Sequence, residues 1–166
     1  MKTQPAPEPL QILQDIEAIR QLKFRYLNAC DEKQPEVVAA CFVSGPIALD
    51  FGHIGHFTTR EDFVDTFVAL GCHDHIVDMH HAQNPIVDIN GADTASAKIG
   101  LVFYSINTQD KTRVQLGGHY VDEYRRIDGQ WLISASRFIV HYVLIKDFSG
   151  DAERVTYAGN RMPEPA

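Results

Sequence analysis

Three turn signals divide the second half of the chain, and they restrict its fold more than any other feature. Asn90-Gly91, Gln109-Asp110-Lys111 and Asp128-Gly129 each separate segments in which apolar and polar residues alternate. A period of two sends successive side chains to opposite faces of a strand, and Asn-Gly or Asp-Gly supplies the backbone geometry of a tight hairpin. The pattern predicts an antiparallel meander of four strands: Ile76 to Ile89, Thr94 to Ile106, Thr112 to Ile127 and Trp131 to Leu144. Asn84-Pro85 interrupts the first, since proline cannot donate to a strand ladder.

Ahead of this block the period is helical. Ile12, Ile16, Ile19, Leu22 and Tyr26 recur at three- and four-residue steps with Gln14, Glu17, Arg20 and Lys23 between them, an amphipathic helix with Pro9 suited to its first position. Asp31-Glu32-Lys33-Gln34-Pro35 ends it, and a short second helix is expected through Val37, Val38 and Phe42. Ile47 to Phe51 reads as a short strand and Gly52 to His56 as a turn. Thr58-Thr59-Arg60-Glu61 reads as a capping box for a third helix carrying Phe63, Phe67 and Leu70 and closed by Gly71. Helices followed by a meander give the α+β class, with the helices covering one sheet face. The expected organisation is a flexible lead over residues 1–9, one domain over 10–146, and a C-terminal tail without clear period over 147–166.

Charge removes several function classes. With 22 acidic and 15 basic residues, the 166-residue chain carries a formal charge of -7, without the basic footprint of a nucleic-acid binder. No apolar run reaches membrane-spanning length, and Met1 to Pro9 has no apolar leader pattern, so a soluble cytoplasmic protein is expected. Cys30, Cys41 and Cys72 lack metal-ligand spacing, and His53 and His56 have no third ligand spaced with them, so no metal is expected.

The chemistry-bearing residues are His80 and Asp31. Strand alternation puts Asp78 and Ala82 on the side of His80, and Met79 and His81 on the other. Asp31 falls where the first helix ends, a place the helix dipole makes poor for a carboxylate, so another group is expected to hold it. An imidazole beside a carboxylate is a proton-abstracting pair, because the carboxylate fixes the tautomer and stabilises the imidazolium that forms.

Tyr26 with Asp31, the His80 strand ending in Asn84-Pro85, and the run from Gly117-Gly118-His119-Tyr120 through Asp128-Gly129-Gln130-Trp131 occur in an order that resembles the SnoaL-like branch of the NTF2-like superfamily, over roughly residues 10–145. Within it the chain is most similar to the hexachlorocyclohexane dehydrochlorinases, bile acid dehydratases and scytalone dehydratases. The resemblance implies an NTF2-like cone: N-terminal helices on a curved, mostly antiparallel sheet around an apolar pocket. It assigns the base to His80, its orientation to Asp31, and a hydrogen bond to substrate oxygen to Tyr26. Phe103 and Tyr120 are implied as pocket walls. Ser136 and Val140 occupy the positions where relatives place an arginine, and Arg137 lies one residue off, brought inward only by a β-bulge.

The implied function is a cofactor-independent lyase or isomerase, dehydratase-like, acting on a hydrophobic cyclic, polyketide-like or steroid-like molecule. The alternatives are a non-catalytic small-molecule-binding module and a protein resembling the small subunit of ring-hydroxylating dioxygenases. Self-association as a dimer or trimer is expected from the resemblance.

Overall fold

Pro9 opens the first helix, α1 (Pro9–Asp31), where a missing N–H costs no helical bond. The computed structural model describes residues 8–164, so the expected lead falls mostly outside the described residues. The buried stripe of α1 includes Ile19, Leu22, Tyr26 and Leu27, together with Asp15 and Lys23. Lys23, spaced as a solvent-facing residue, is instead fully buried because the sheet offers it a carboxylate. Helix α2 (Pro35–Ala40) stops before Phe42, which forms a parallel bridge to Ile133. Helix α3 (Arg60–Gly71) is capped by Thr59, not Thr58: the Thr59 hydroxyl accepts the Asp62 N–H at 3.2 Å and donates to the Asp62 carboxylate at 2.7 Å. The cap is thus shifted by one residue, and Asp62, not Glu61, pairs with it, through the Thr59 hydroxyl.

The strands are β1 (Ala48–Asp50), β2 (His56–Phe57), β3 (Ile76–Ile89), β4 (Thr94–Asn107), β5 (Thr112–Ile127), β6 (Gln130–Asp147) and β7 (Arg154–Gly159). Their order is β2-β1-β6-β5-β4-β3, with β7 also on β6. β3 to β6 form the antiparallel meander that the turn signals demand, and Lys111, Asp128 and Gly129 adopt the positive φ such turns need. β1 joins β6 in parallel, which makes the sheet mixed.

Three register shifts within the meander curl the sheet over the helices. One lies between Gln83 and Ile86, where Asn84 has φ of 48°, so Asn84-Pro85 bends one continuous strand instead of ending it. The other two lie between β5 and β6, at Gly117/Gly118 and Glu123/Tyr124. A Cβ at Gly118 would stand 2.0 Å from the Ile139 carbonyl oxygen, so only glycine permits that closeness of the two strands.

Segment 147–166, expected to be a tail without period, contains β7. β6 outlasts β1: its Ala135 to Arg137 stretch pairs with β1 while Val143 to Asp147 would otherwise present a bare edge, and β7 covers it. An Arg154–Asp147 ion pair at 2.8 Å secures the contact.

Candidate active site

Strand parity builds a cavity of about 320 Å³ between the curled sheet, α1 and α3. β3 contributes Ile76, Asp78 and His80, β4 contributes Leu101, Phe103 and Ser105, and β5 reaches it with Leu116 and Tyr120. Phe63 and Phe67 close it from α3, and Met162 reaches it from beyond β7. The lining is mostly apolar, as suits a hydrophobic ligand, with its polar groups gathered near β3 and α1.

Asp31 and His80 meet at one side of this space, with His80 in its lining and Asp31 outside it. The Asp31 carboxylate accepts from His80 Nδ1 at 2.5 Å through one oxygen, and from the His80 backbone N–H at 3.0 Å through the other. The backbone bond identifies what holds a carboxylate at the unfavourable end of a helix: β3 supplies the donors that the helix terminus lacks. Two-point attachment fixes the imidazole with its proton on Nδ1, which leaves the Nε2 lone pair for the cavity. The Phe103 ring sits 4.5 Å from the imidazole, centre to centre, and closes one side. His81 is exposed on the opposite face, as the parity requires.

Tyr26 is buried in the cavity wall. Burial pushes its phenol well above the ordinary range, so the hydroxyl keeps its proton. Burial likewise pushes the Cys30 thiol far up, which suppresses any thiolate there. Beneath Tyr26 lies a buried polar cluster that spacing did not reveal. Lys23 Nζ stands 2.9 Å from Asp122, whose carboxylate also accepts from the Tyr124 hydroxyl at 2.8 Å and the Ser136 hydroxyl at 2.6 Å. Desolvation lowers the Lys23 pKa, with Asp122 acting against it, and the ammonium rests 3.3 Å from the centre of the Tyr120 ring. The cluster braces the two tyrosines of the wall from behind.

Phe103 and Tyr120 line the cavity as expected, but three expected lining residues do not. Ser136 is turned to Asp122, Val140 lies outside the lining, and Phe138, of the same parity, is the residue β6 contributes. Arg137 is exposed and faces Asp50 at 3.8 Å. The β6 shifts fall opposite Gly117/Gly118 and Glu123/Tyr124, so none rotates Arg137 inward. Asp78 lines the cavity with Oδ1 buried and without a hydrogen-bond partner among the described residues, and burial raises its pKa. Its side of β3 was legible from alternation; its isolation depended on the closing of α3 over it.

A SnoaL-like domain matches residues 11–137. Among solved structures, a scytalone-dehydratase-like protein from Novosphingobium aromaticivorans shares 21% identity over 93% of this chain and 92% of its own, with a TM-score of 0.71. The hexachlorocyclohexane dehydrochlorinase LinA-type3 from Novosphingobium barchaimii shares 17% over 95% and 100%, with a TM-score of 0.71. A protein of unknown function with a cystatin-like fold from Nostoc punctiforme shares 25% over 82% and 95%, with a TM-score of 0.63. No helix among the described residues is long and apolar enough to cross a membrane.

Proposed function

The chain belongs to the SnoaL-like family, and from that premise we propose that it is a cofactor-independent, dehydratase-like lyase acting on a hydrophobic cyclic small molecule of polyketide or steroid type. The observation that carries the reading is the His80–Asp31 pair in the wall of an apolar cavity. His80 Nε2 removes a proton from carbon next to a carbonyl, Asp31 holds the ring and offsets the imidazolium charge, and the Tyr26 hydroxyl donates to the oxygen that gains charge. The apolar walls keep that charge away from water, which strengthens each of these contacts.

A β-(p-nitrophenoxy)cyclohexanone tests the base. Loss of its α-proton expels yellow nitrophenolate, and the product is a cyclohexenone. The wild type is expected to accelerate the release, and His80→Ala to lower it by about a hundredfold or more. A wild type without activity on this ketone and on larger fused-ring analogues overturns the reading.

One feature favours a second reading, a binding module: among the described residues, no arginine or lysine lines the cavity. On that reading His80→Ala changes ligand affinity, read as a thermal shift with cyclic ketones, and no turnover accompanies it. Exposed Val77, Met79, Tyr104 and Val121 on the outer sheet face support self-association as a dimer or trimer in either case, which light scattering measures.

A further inference from the structure

We propose that Asp78 is the proton donor to the leaving group, and that the substrates are therefore β-hydroxy carbonyl compounds whose hydroxyl departs as water. The proposal rests on the lyase reading and adds the group that reading lacks. Asp78 and His80 are two residues apart on one face of β3, about 7 Å along the strand, and both line the cavity. That spacing lets one substrate present its acidic C–H to one group and its hydroxyl to the other.

The surroundings favour a neutral acid at Asp78. Its Oδ1 is buried without a hydrogen-bond partner among the described residues, and the carboxyl joins no salt bridge among them. The C-terminal end of α3 lies against it: a Cβ on Gly71 would be 3.9 Å from Asp78 Oδ2, and the negative end of a helix disfavours a carboxylate. The charged or polar groups facing it are Ser105 across from it on β4, His80 on its own strand, and Asp31 and Lys33 from the end of α1 and the turn after it; all but Asp31 favour the carboxylate, and burial outweighs them. Lys33 is committed elsewhere, donating to the His73 carbonyl. Desolvation already raises the Asp78 pKa, and an apolar ligand filling the cavity displaces more water and raises it further.

The step balances without a redox partner. His80 Nε2 takes the α-proton, the C–H electrons form the C=C bond, the C–O bond breaks, and the Asp78 proton goes to the departing oxygen to give water. His80 then releases a proton to solvent and Asp78 takes one up.

Two ketones with the same product separate acid from base. Nitrophenolate leaves β-(p-nitrophenoxy)cyclohexanone without a proton, whereas β-hydroxycyclohexanone needs one. Asp78→Asn is expected to slow the hydroxy ketone by about a hundredfold while changing the nitrophenoxy ketone less than about threefold. Asp78→Glu is expected to restore part of the hydroxy ketone rate. In the wild type, the rate on the hydroxy ketone alone is expected to fall as pH rises through the Asp78 pKa, since the acid must be protonated. Equal losses on both ketones in an Asn variant that melts like the wild type overturn the proposal, as does no loss on either. If the Asn variant melts early, the same ratio in Asp78→Ser, which also lacks the acid, decides. A wild type that turns over only the nitrophenoxy ketone also overturns it and leaves the base reading standing. A wild type inactive on both removes the two together.

Discussion

Two pairs of opposite polarity join α1 to the sheet, about two turns apart along the helix, and they differ in how far they are closed from water. Lys23 and Asp122 are both 0% exposed, and Tyr124 and Ser136 complete the carboxylate. His80 and Asp31 keep 15% and 21% of their side-chain surface, and the pair leaves Nε2 facing the cavity. A charge pair closed from water has nothing to offer a ligand and is costly to break, here with Lys23 Nζ holding Asp122 by charge alone and making no hydrogen bond among the described residues; a partly solvated pair with one open valence costs less to disturb. The wall of the site is thus braced by the first pair and, on the proposed reading, supplied with a base by the second.

The largest effect should come from breaking the closed pair. Lys23→Met leaves the Asp122 carboxylate buried without a cation and is expected to cost about 3–5 kcal/mol in urea unfolding. Lys23→Met with Asp122→Leu should cost less than the single change, because no uncompensated charge remains. A single variant within about 1 kcal/mol of the wild type would mean that the cluster is open to water and that the contrast between the pairs is false.

Asp31→Asn separates the pairs from the other side. An amide N–H turned toward Nδ1 forces the ring proton onto Nε2, so the lone pair no longer faces the cavity, and nitrophenoxy ketone turnover should fall about a thousandfold. Stability should move by about 1 kcal/mol at most, because the pair is partly solvated and the helix end disfavours the charge it would lose. A variant that melts far below the wild type would place Asp31 with the structural cluster.

Sequence and fold part company at the same divide. Strand parity and turn chemistry suffice for the meander, for Asp31 at the end of α1, and for the face that carries Asp78 and His80. They are local properties, and the family resemblance aligns with them. Lys23 was not legible, because a lysine spaced among polar residues is normally solvated, and only the sheet, with Asp122 far away in sequence, makes its burial tolerable. Ser136 and Val140 have the right parity for the cavity, yet Asp122 claims the first, and Phe138 fills the place between them. β7 carries a readable signal in Val155, Thr156 and Tyr157, but six residues flanked by turn formers register only once the bare edge of β6 is known to need a partner.

A third bond between α1 and the sheet reports by pH. Burial acts to raise the Asp15 pKa, but hydrogen bonds from Trp131 Nε1 at 3.1 Å and from Arg126 outweigh it, and the folded pKa lies below 3.8. A depressed carboxylate contributes stability that is present above its unfolded pKa and is lost as pH falls through the folded value. Unfolding midpoints of Asp15→Asn should therefore lie below those of the wild type at neutral pH and converge with them under pH 3.8. Curves that stay parallel throughout would assign the acid sensitivity to other carboxylates.

The smallest expected effect is at Arg137, and it bears on how the site handles charge. The resemblance implies an arginine from the last strand in the pocket, but this one is 65% exposed and its ion-pair partner, Asp50, is 3.8 Å away and itself 41% exposed. An exposed pair of that kind contributes under about 1 kcal/mol, so Arg137→Ala should leave the melting temperature and both ketone rates nearly unchanged. A tenfold loss of turnover confined to Arg137→Ala would require β6 to rotate when a ligand binds, delivering a guanidinium to the departing oxygen. The open valence of the His80–Asp31 pair would then be answered by a cation from β6, and Asp78 would not be needed as the acid.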